Sequence, residues 1–182
     1  MIGYMGSASH SADLQIAIPA ILGVLERCPH VTFELFGSIA RQPVADRLPE
    51  SVVRRDAVAG DYAAFRRRLN ALSWDIAIAP LEANPYNRCK TATKWVEYAE
   101  AGAAVLASDM EVYHPMIAED AAAAARPGQW EHVLNRMIAS PDLRDGLVRS
   151  ADRLLRARFS WRRLESSVLD LLARGGASRI AA

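Results

Sequence analysis

Two lysines and a glutamate are spaced at helical intervals where a loop turns into a helix. The stretch "NPYNRCKTATKWVEYAEAG" (84–102) begins with turn-forming residues and predicts a helix over residues 91–101, which a glycine ends. Lys90 precedes the first turn of that helix, Lys94 lies one turn inside it, and Glu97 lies about one turn deeper. The junction therefore places two cations and one carboxylate within reach of a single ligand.

Two interpretations of this junction remain open from these residues alone. A helix N-terminus offers unpaired N–H groups and a positive dipole end, so a phosphate could bind there between Lys90 and Lys94. Without an anion, each cation at this end is unfavourable by about 0.3–1 kcal/mol. A carboxylate at Glu97 could accept hydrogen bonds from a vicinal diol, and a phosphate with sugar hydroxyls describes a nucleotide. Alternatively, both lysines are solvated and Lys94 pairs weakly with Glu97.

The elements around this junction alternate between short apolar strands and helices. The predicted strands are residues 2–7, 31–38, 51–58, 74–80 and 103–109. The predicted helices are residues 19–27 (with a kink before Pro19), 61–69, 91–101, 128–139, 141–157 and 160–174. This alternation predicts an α/β fold with a doubly wound parallel sheet and helices on both faces.

Ligands bind beyond the carboxyl ends of the strands in an open parallel sheet. The loops that follow the predicted strands are residues 6–13, 37–42, 55–61, 80–91 and 108–116. The stretch with the two lysines lies in one of them. In the first loop, His10 either contacts a phosphate or is a solvated loop residue, and Asp13 is expected to cap the following helix.

Several other chemistries are not supported by the motifs. The first loop lacks the glycine pattern of dinucleotide-binding proteins and that of the P-loop. The chain has no Asp-x-Asp pair for a catalytic divalent metal, no cluster with zinc-ligand spacing and no G-x-S-x-G elbow. We therefore expect no metal site, and the four tryptophans are expected to lie in the core.

Composition indicates one globular domain over residues 1–182, with residues 174–182 as a frayed tail. The chain has 182 residues, a net charge of +1 and 51% hydrophobic residues. Its arginine clusters are expected to be solvated, so we expect no binding of nucleic acid. Two cysteines without metal or redox spacing fit a cytoplasmic setting.

The sequence shows neither a signal peptide nor a run of about 20 apolar residues. A strand is predicted directly after Met1. Either the protein starts inside its sheet, or a preceding segment has been removed.

The segment "YNRCKTATKWVEYAEAGAAVLASD" (86–109) resembles the donor-site segment of retaining "group 1" glycosyltransferases of the GT-B fold. "IGYMGSASHSADL", "FELFG" and "WDIAIAP" match the preceding strands of that family in order and spacing. The resemblance covers nearly the whole chain but only one half of the family's architecture. It implies the C-terminal Rossmann-like domain, which holds the nucleotide-sugar donor.

The resemblance assigns roles to individual residues. Glu97 matches the second glutamate of the family's Glu-x(7)-Glu motif, which holds the ribose hydroxyls, whereas the first glutamate is replaced by Cys89. A subgroup of the family has Asn-x-x-Lys-Ser-x-x-Lys at this point, and the residues that match it are Asn87, Lys90, Thr91 and Lys94.

In that version Lys90 neutralises the diphosphate, and the Thr91 hydroxyl caps the helix or bonds a phosphate oxygen. Ser7 lies where relatives place a phosphate-facing residue. The segment from Arg55 to Val58 corresponds to the place where the base is held. The catalytic residues are unknown and are expected mainly in an N-terminal domain.

The resemblance implies the donor-binding half of a glycosyltransferase, acting in bacterial polysaccharide biosynthesis. Its substrate would be a nucleoside-diphosphate sugar, with no cofactor and no metal. Its partners would be an unknown acceptor, an N-terminal acceptor domain and, for the chain alone, a second copy in a homodimer.

Two alternatives remain. One is a non-catalytic nucleotide-sugar-binding or interaction module on the same fold, which Cys89 and the missing N-terminal half favour. The other is an unrelated flavodoxin-like protein.

Overall fold

The computed structural model describes residues 1–56 and 61–177, which form six strands and eight helices. The strands are β1 (Ile2–Met5), β2 (Phe33–Phe36), β3 (Val53–Arg55), β4 (Ile76–Ala79), β5 (Ala104–Ser108) and β6 (Ala123–Ala125). The helices are α1 (Ser11–Arg27), α2 (Tyr62–Asn70), α3 (Pro85–Arg88), α4 (Thr93–Glu100), α5 (His114–Ile117), α6 (Trp130–Ala139), α7 (Pro141–Arg158) and α8 (Trp161–Ala177).

All six strands lie parallel in one sheet with the order β3-β2-β1-β4-β5-β6. The strand order reverses between β1 and β4, and this reversal opens a crevice at the carboxyl edge of the sheet. The prediction of a doubly wound parallel α/β sheet is confirmed. The first strand pairs on both sides, with Ile2 opposite Phe33 of β2 and Ile76 of β4.

Successive residues of the central strands enter two different apolar clusters, one on each face of the sheet. In β4, Ile76 and Ile78 pack in the cluster that contains α1 and α6. Ala77 and Ala79 pack in the cluster that contains α4 and α7. Because both faces are covered, the central strands β1 and β4 have no polar side and appear in the sequence as continuous apolar runs.

Helix α1 is continuous through Pro19 and begins at Ser11, earlier than the sequence predicted. Pro19 and Gln15, one turn earlier, both lie on the exposed side of the helix. Because proline has no backbone N–H, the carbonyl of Gln15 lacks its usual hydrogen-bond donor. That carbonyl can therefore be hydrated, which offsets the lost hydrogen bond.

By length and composition the segment Ala8–Arg27 could cross a membrane, which the sequence analysis did not anticipate. In the fold, its buried residues pack against the sheet; they are Asp13, Leu14, Ala17, Ile18, Ala20, Ile21 and Val24.

Three further features of the fold differ from the expectations drawn from the sequence. The alanine run near residue 123, which was not predicted as a strand, forms the edge strand β6 through its pairing with β5. Trp161 was expected in the core but is 79% exposed on α8, whereas the other three tryptophans are buried. Helix α8 continues to Ala177, beyond the predicted start of a frayed tail, and residues 178–182 lie outside the described residues.

Candidate functional site

A cleft of about 470 Å³ opens at the carboxyl edge of the sheet, at the β1/β4 crevice. It is lined by Met5, Gly6, Ser7, His10, Gly37, Ser38, Phe65, Leu81, Lys90, Thr91, Thr93, Lys94, Glu97 and Tyr113. Of the eight residues proposed from the sequence, six are brought together in this cleft: Ser7, His10, Lys90, Thr91, Lys94 and Glu97. Asn87 and Arg55 do not line it.

Glycine backbone forms one wall of the cleft. Gly37, which follows β2, has a φ of 104°, and a Cβ atom placed there would lie 2.4 Å from the carbonyl oxygen of Gly6. The chain leaving β2 therefore packs directly on the chain leaving β1, and only glycine permits this approach. The wall leaves room for a ligand to reach backbone atoms.

Lys90 and Lys94 are the only lysines of the chain, and both line the cleft. The Nζ atom of Lys94 lies 4.4 Å from the centroid of the Tyr4 ring and donates to the Tyr4 hydroxyl at 3.3 Å. Burial lowers the pKa of Lys94 to about 8, although the charge of Asp13 acts in the opposite direction. Lys94 is therefore a cation near neutral pH that loses its proton in mildly alkaline solution.

Asp13 is a buried carboxylate that ties together the loops bearing the cations. It is 3% exposed, and its oxygens accept hydrogen bonds from the backbone N–H of Glu82 at 2.8 Å and from Asn87 Nδ2 at 3.2 Å. His10 Nδ1 lies 2.8 Å from Asp13 Oδ2, and Lys90 Nζ lies 3.8 Å from the same oxygen. The expected helix-capping role of Asp13 is thus replaced by contacts to His10, three residues earlier, and to Glu82, Asn87 and Lys90 in the segment that follows β4.

The contacts of Asp13 keep it ionised and orient His10. Burial acts to raise the pKa of Asp13, but the hydrogen bonds from His10 and Glu82 and the charge of Lys90 outweigh burial, so this pKa lies below its usual value. An ionised carboxylate only accepts hydrogen bonds, so the hydrogen is on Nδ1 of His10. Nε2 is then the ring nitrogen left to meet a ligand in the cleft.

We expect Asp13→Asn to lower the free energy of unfolding at pH 7 by about 1–3 kcal/mol, because a buried charged acceptor is lost. A carboxyl whose folded pKa is below its unfolded value of about 4 stabilises the fold above that pH, and this contribution disappears as pH falls through the folded pKa. Urea denaturation at pH 7 and pH 3 measures the effect. Asp46→Asn, at an exposed site, should leave the free energy of unfolding unchanged at both pH values. If Asp13→Asn lowered the free energy of unfolding by the same amount at both pH values, this account would be contradicted.

Glu97 also lines the cleft and is 8% exposed. Its Oε1 accepts a hydrogen bond from the Tyr62 hydroxyl at 3.0 Å. Burial raises the pKa of Glu97, while the hydrogen bond from Tyr62 and the charge of Lys94 act to lower it. The cleft thus has a cationic half around Lys90 and a carboxylate half around Glu97.

The remaining predicted residues lie around the cleft. Asn87 is 4% exposed and donates to Asp13 and to the Glu82 carbonyl, so it supports the loop before Lys90. Arg55 pairs with the buried Glu34. Val58 lies outside the described residues, so the role of this segment in holding a base stays a prediction.

Two features bear on the roles implied for the loop before α4. Thr91 does not cap α4: the N-cap is Ala92, and Thr91 Oγ1 lies 2.8 Å from Thr93 Oγ1. Cys89, which replaces the family's first glutamate, is an exposed free cysteine that is not among the residues lining the cleft. Among residues 1–56 and 61–177, no group of three or more His, Cys, Asp or Glu side chains could hold a metal ion.

Sequence reasoning missed the structural partners of the predicted residues, above all Tyr4, Tyr62 and the bonding role of Asp13. One signal was available for Asp13, which is spaced four residues before Ala17 on the apolar stripe of α1. A carboxylate on the buried stripe of a helix requires partners from other segments.

Comparison of the fold with solved structures identifies similar domains. The C-terminal domain of the glycosyl transferase group 1 family protein LpcC from Francisella tularensis has 17% identity and a TM-score of 0.65, covering 88% of this chain and 86% of that one. The C-terminal CMP-Kdo binding domain of WaaA from Acinetobacter baumannii has 13% identity and a TM-score of 0.58, covering 85% and 89%. WaaG, a glycosyltransferase involved in lipopolysaccharide biosynthesis, has 16% identity and a TM-score of 0.62.

The structural match includes 84% of this chain but only 42% of WaaG. The chain therefore spans less than half the length of that glycosyltransferase. No protein-family model and no curated protein sequence matches the chain. The resemblance inferred from the sequence is therefore confirmed at the level of the fold. The chain has the Rossmann-like fold of the C-terminal domains of GT-B group 1 glycosyltransferases.

Proposed function

We propose that this chain is the nucleotide-sugar-binding half of a glycosyltransferase, which transfers a sugar to an acceptor when joined to an N-terminal domain. The observation that carries the proposal is the cleft at the β1/β4 crevice, where both lysines of the chain and Glu97 converge. Ligands of open parallel sheets bind at this position. The fold shared with glycosyltransferase C-terminal domains supports the same assignment.

In this proposal the diphosphate of the donor binds in the cationic half of the cleft. Lys90 and Lys94 balance its charge, and Ser7, His10 and Thr91 line the same space. The N–H groups of the first turn of α4 have no side-chain cap and are free to meet an anion. Basic side chains and a helix dipole, rather than a metal ion, would then stabilise the departing diphosphate.

Glu97 would hold the ribose in the carboxylate half of the cleft. An ionised carboxylate can accept hydrogen bonds from two neighbouring hydroxyls, and charge-assisted bonds of this kind are the strong ones. The donor would thus be a ribonucleoside diphosphate sugar, used as a substrate without a further cofactor.

We also propose a setting and partners for the domain. The role of WaaG in lipopolysaccharide biosynthesis supports a reaction in bacterial polysaccharide synthesis. For this chain we propose a cytoplasmic setting. An acceptor-binding domain would cover the open side of the cleft, as the length of WaaG relative to this chain suggests. By itself the chain would pair with a second copy through the exposed apolar residues of α8, which include Trp161, Leu164, Leu171 and Leu172.

A second candidate function is a module that binds nucleotide sugars without catalysing transfer. The observation that favours it is Cys89, which stands in place of the family's first glutamate and does not line the cleft. Transfer by a longer form of the protein that carries an acceptor domain would exclude this candidate.

Calorimetry on variants of the cleft tests the proposed function. We expect Lys90→Ala and Glu97→Ala each to weaken binding of a nucleoside diphosphate by about 1.5 kcal/mol or more, hence at least tenfold, because each removes a charge-assisted hydrogen bond. Arg88→Ala and Glu100→Ala are matched controls: these charges lie nearby, are paired with Glu111 and Arg66, and do not line the cleft. Unchanged affinity in both cleft variants would refute the site.

A further inference from the structure

Tyr62, the first residue of α2, is an exposed aromatic residue whose ring is nevertheless held in place. It is 58% exposed, but its ring stacks on Phe65, with centroids 5.9 Å apart and planes at 23°. Phe65 lines the cleft and stacks in turn on the fully buried Phe36, with centroids 5.6 Å apart and planes at 10°. Three stacked rings therefore connect Tyr62 to the core.

The hydroxyl end of Tyr62 is fixed as well. It donates to Glu97 Oε1 at 3.0 Å, and Asp61, which caps α2 by accepting from the Ala64 N–H at 2.8 Å, fixes the start of the helix that carries Tyr62. An exposed side chain held by both its ring and its hydroxyl has lost conformational freedom. This loss costs conformational entropy, and a solvent-exposed side chain without a function would have no need to be held in this way.

The hydrogen bond from Tyr62 makes the two carboxylate oxygens of Glu97 inequivalent. Oε1 is occupied by Tyr62, whereas Oε2 accepts no hydrogen bond from any residue in 1–56 or 61–177. The charged groups near the carboxylate are Lys94 on its own helix, Glu100 one turn further, and Arg66 on α2. Arg66 pairs with Glu100 at 2.8 Å, so it does not occupy Oε2.

We propose that Tyr62 is a positioning residue that orients Glu97 toward the ribose of the ligand. By holding Oε1, the Tyr62 hydroxyl fixes the plane of the carboxylate and leaves Oε2 directed to the vicinal hydroxyls. The chemical class that this arrangement selects is the ribonucleoside diphosphate, in preference to pyrophosphate or to a nucleotide without ribose hydroxyls. The inference rests on the proposed function, because it assumes that Glu97 meets a ribose.

Tyr62→Phe keeps the stacked ring and removes only the hydroxyl. We expect its affinity for UDP, GDP or ADP, whichever the native chain binds most tightly, to fall roughly fivefold to tenfold, the net value of one hydrogen bond. Affinity for inorganic pyrophosphate, and for the same nucleoside diphosphate lacking both ribose hydroxyls, should stay within about twofold. A residue needed only for stability would weaken all three ligands alike.

A double-variant cycle with Glu97→Ala, which removes the acceptor of the Tyr62 hydroxyl, shows whether Tyr62 acts through Glu97. In the Glu97→Ala background, Tyr62→Phe should cause no further loss of affinity for the nucleoside diphosphate. Tyr86→Phe is the matched control, because Tyr86 is 76% exposed and its hydroxyl bonds no residue in the described part of the chain. It should bind all ligands as the native chain does.

The outcomes of these titrations distinguish the inference about Tyr62 from the proposed function of the chain. Unchanged nucleoside diphosphate binding by Tyr62→Phe, together with weakened binding by Glu97→Ala, would overturn this inference and leave the proposed function standing. Equal weakening for all three ligands would also overturn it. Failure of the native chain to bind any nucleoside diphosphate would overturn the proposed function, and the inference with it.

Discussion

The chain of 182 residues, expressed by itself, should bind a nucleotide sugar but transfer the sugar at no useful rate. Glycosyl transfer requires the acceptor hydroxyl to be held beside the anomeric carbon, and such positioning can be worth about 7–11 kcal/mol, roughly 10⁵- to 10⁸-fold in rate. The cleft is open to solvent, so water also screens the charge of Lys90 there.

Release of nucleoside diphosphate from a panel of nucleotide sugars measures this expectation. The panel is tested with the chain by itself and with a longer form that carries an acceptor-binding domain. We expect release only with the longer form. Efficient turnover by the chain alone would show that its own residues complete the catalytic site.

Donor affinity should fall as the pH rises through about 8, the pKa of Lys94. Only protonated Lys94 attracts the diphosphate, so the apparent dissociation constant rises as the protonated fraction falls, by roughly 30-fold between pH 7 and pH 9.5. The ligand-free fold should respond in the opposite direction. A lysine whose folded pKa is below its unfolded value binds its proton more tightly when unfolded, so the fold gains stability as the pH rises above 8.

Two substitutions distinguish the titration of Lys94 from that of other groups in the site. Lys94→Met should bind weakly at every pH and lose this pH dependence, whereas Lys90→Met should bind more weakly but keep it. Because the chain contains only two lysines, the NMR signals of their side chains can be assigned and titrated directly. The same pH dependence in Lys94→Met as in the native chain would assign the titration to another group.

The parallel sheet could be predicted because its central strands are buried on both faces and therefore appear as apolar runs. Strand β6 could not, because an alanine run carries no β-branched or aromatic signal and becomes a strand only by pairing with β5. Trp161 shows the converse problem. The apolar periodicity of α8 predicts a face to be buried, but no residue in the described part of the chain covers that tryptophan.

The candidate site was predictable in its cleft-lining residues but not in the contacts that orient them. The helix start and its charges lie within one short stretch of sequence, so Lys90, Lys94 and Glu97 could be identified together. Their partners Tyr4 and Asp13 lie far earlier in the chain, 90 residues from Lys94 in the case of Tyr4. Only the folded topology brings Tyr4 within hydrogen-bonding distance of Lys94, and Asp13 within ion-pairing distance of Lys90.

Mapping a bound nucleoside diphosphate onto the fold by amide NMR shifts tests the central claim most directly. UDP, GDP and ADP would each be titrated into the ¹⁵N-labelled chain. We predict that the largest shifts fall on the backbone of Gly6, Ser7, Gly37 and the first turn of α4, all around the cleft. Shifts concentrated instead at the amino edge of the sheet, near His30 and Asp75, or the absence of shifts with all three nucleotides, would contradict the assignment of this cleft as a donor site.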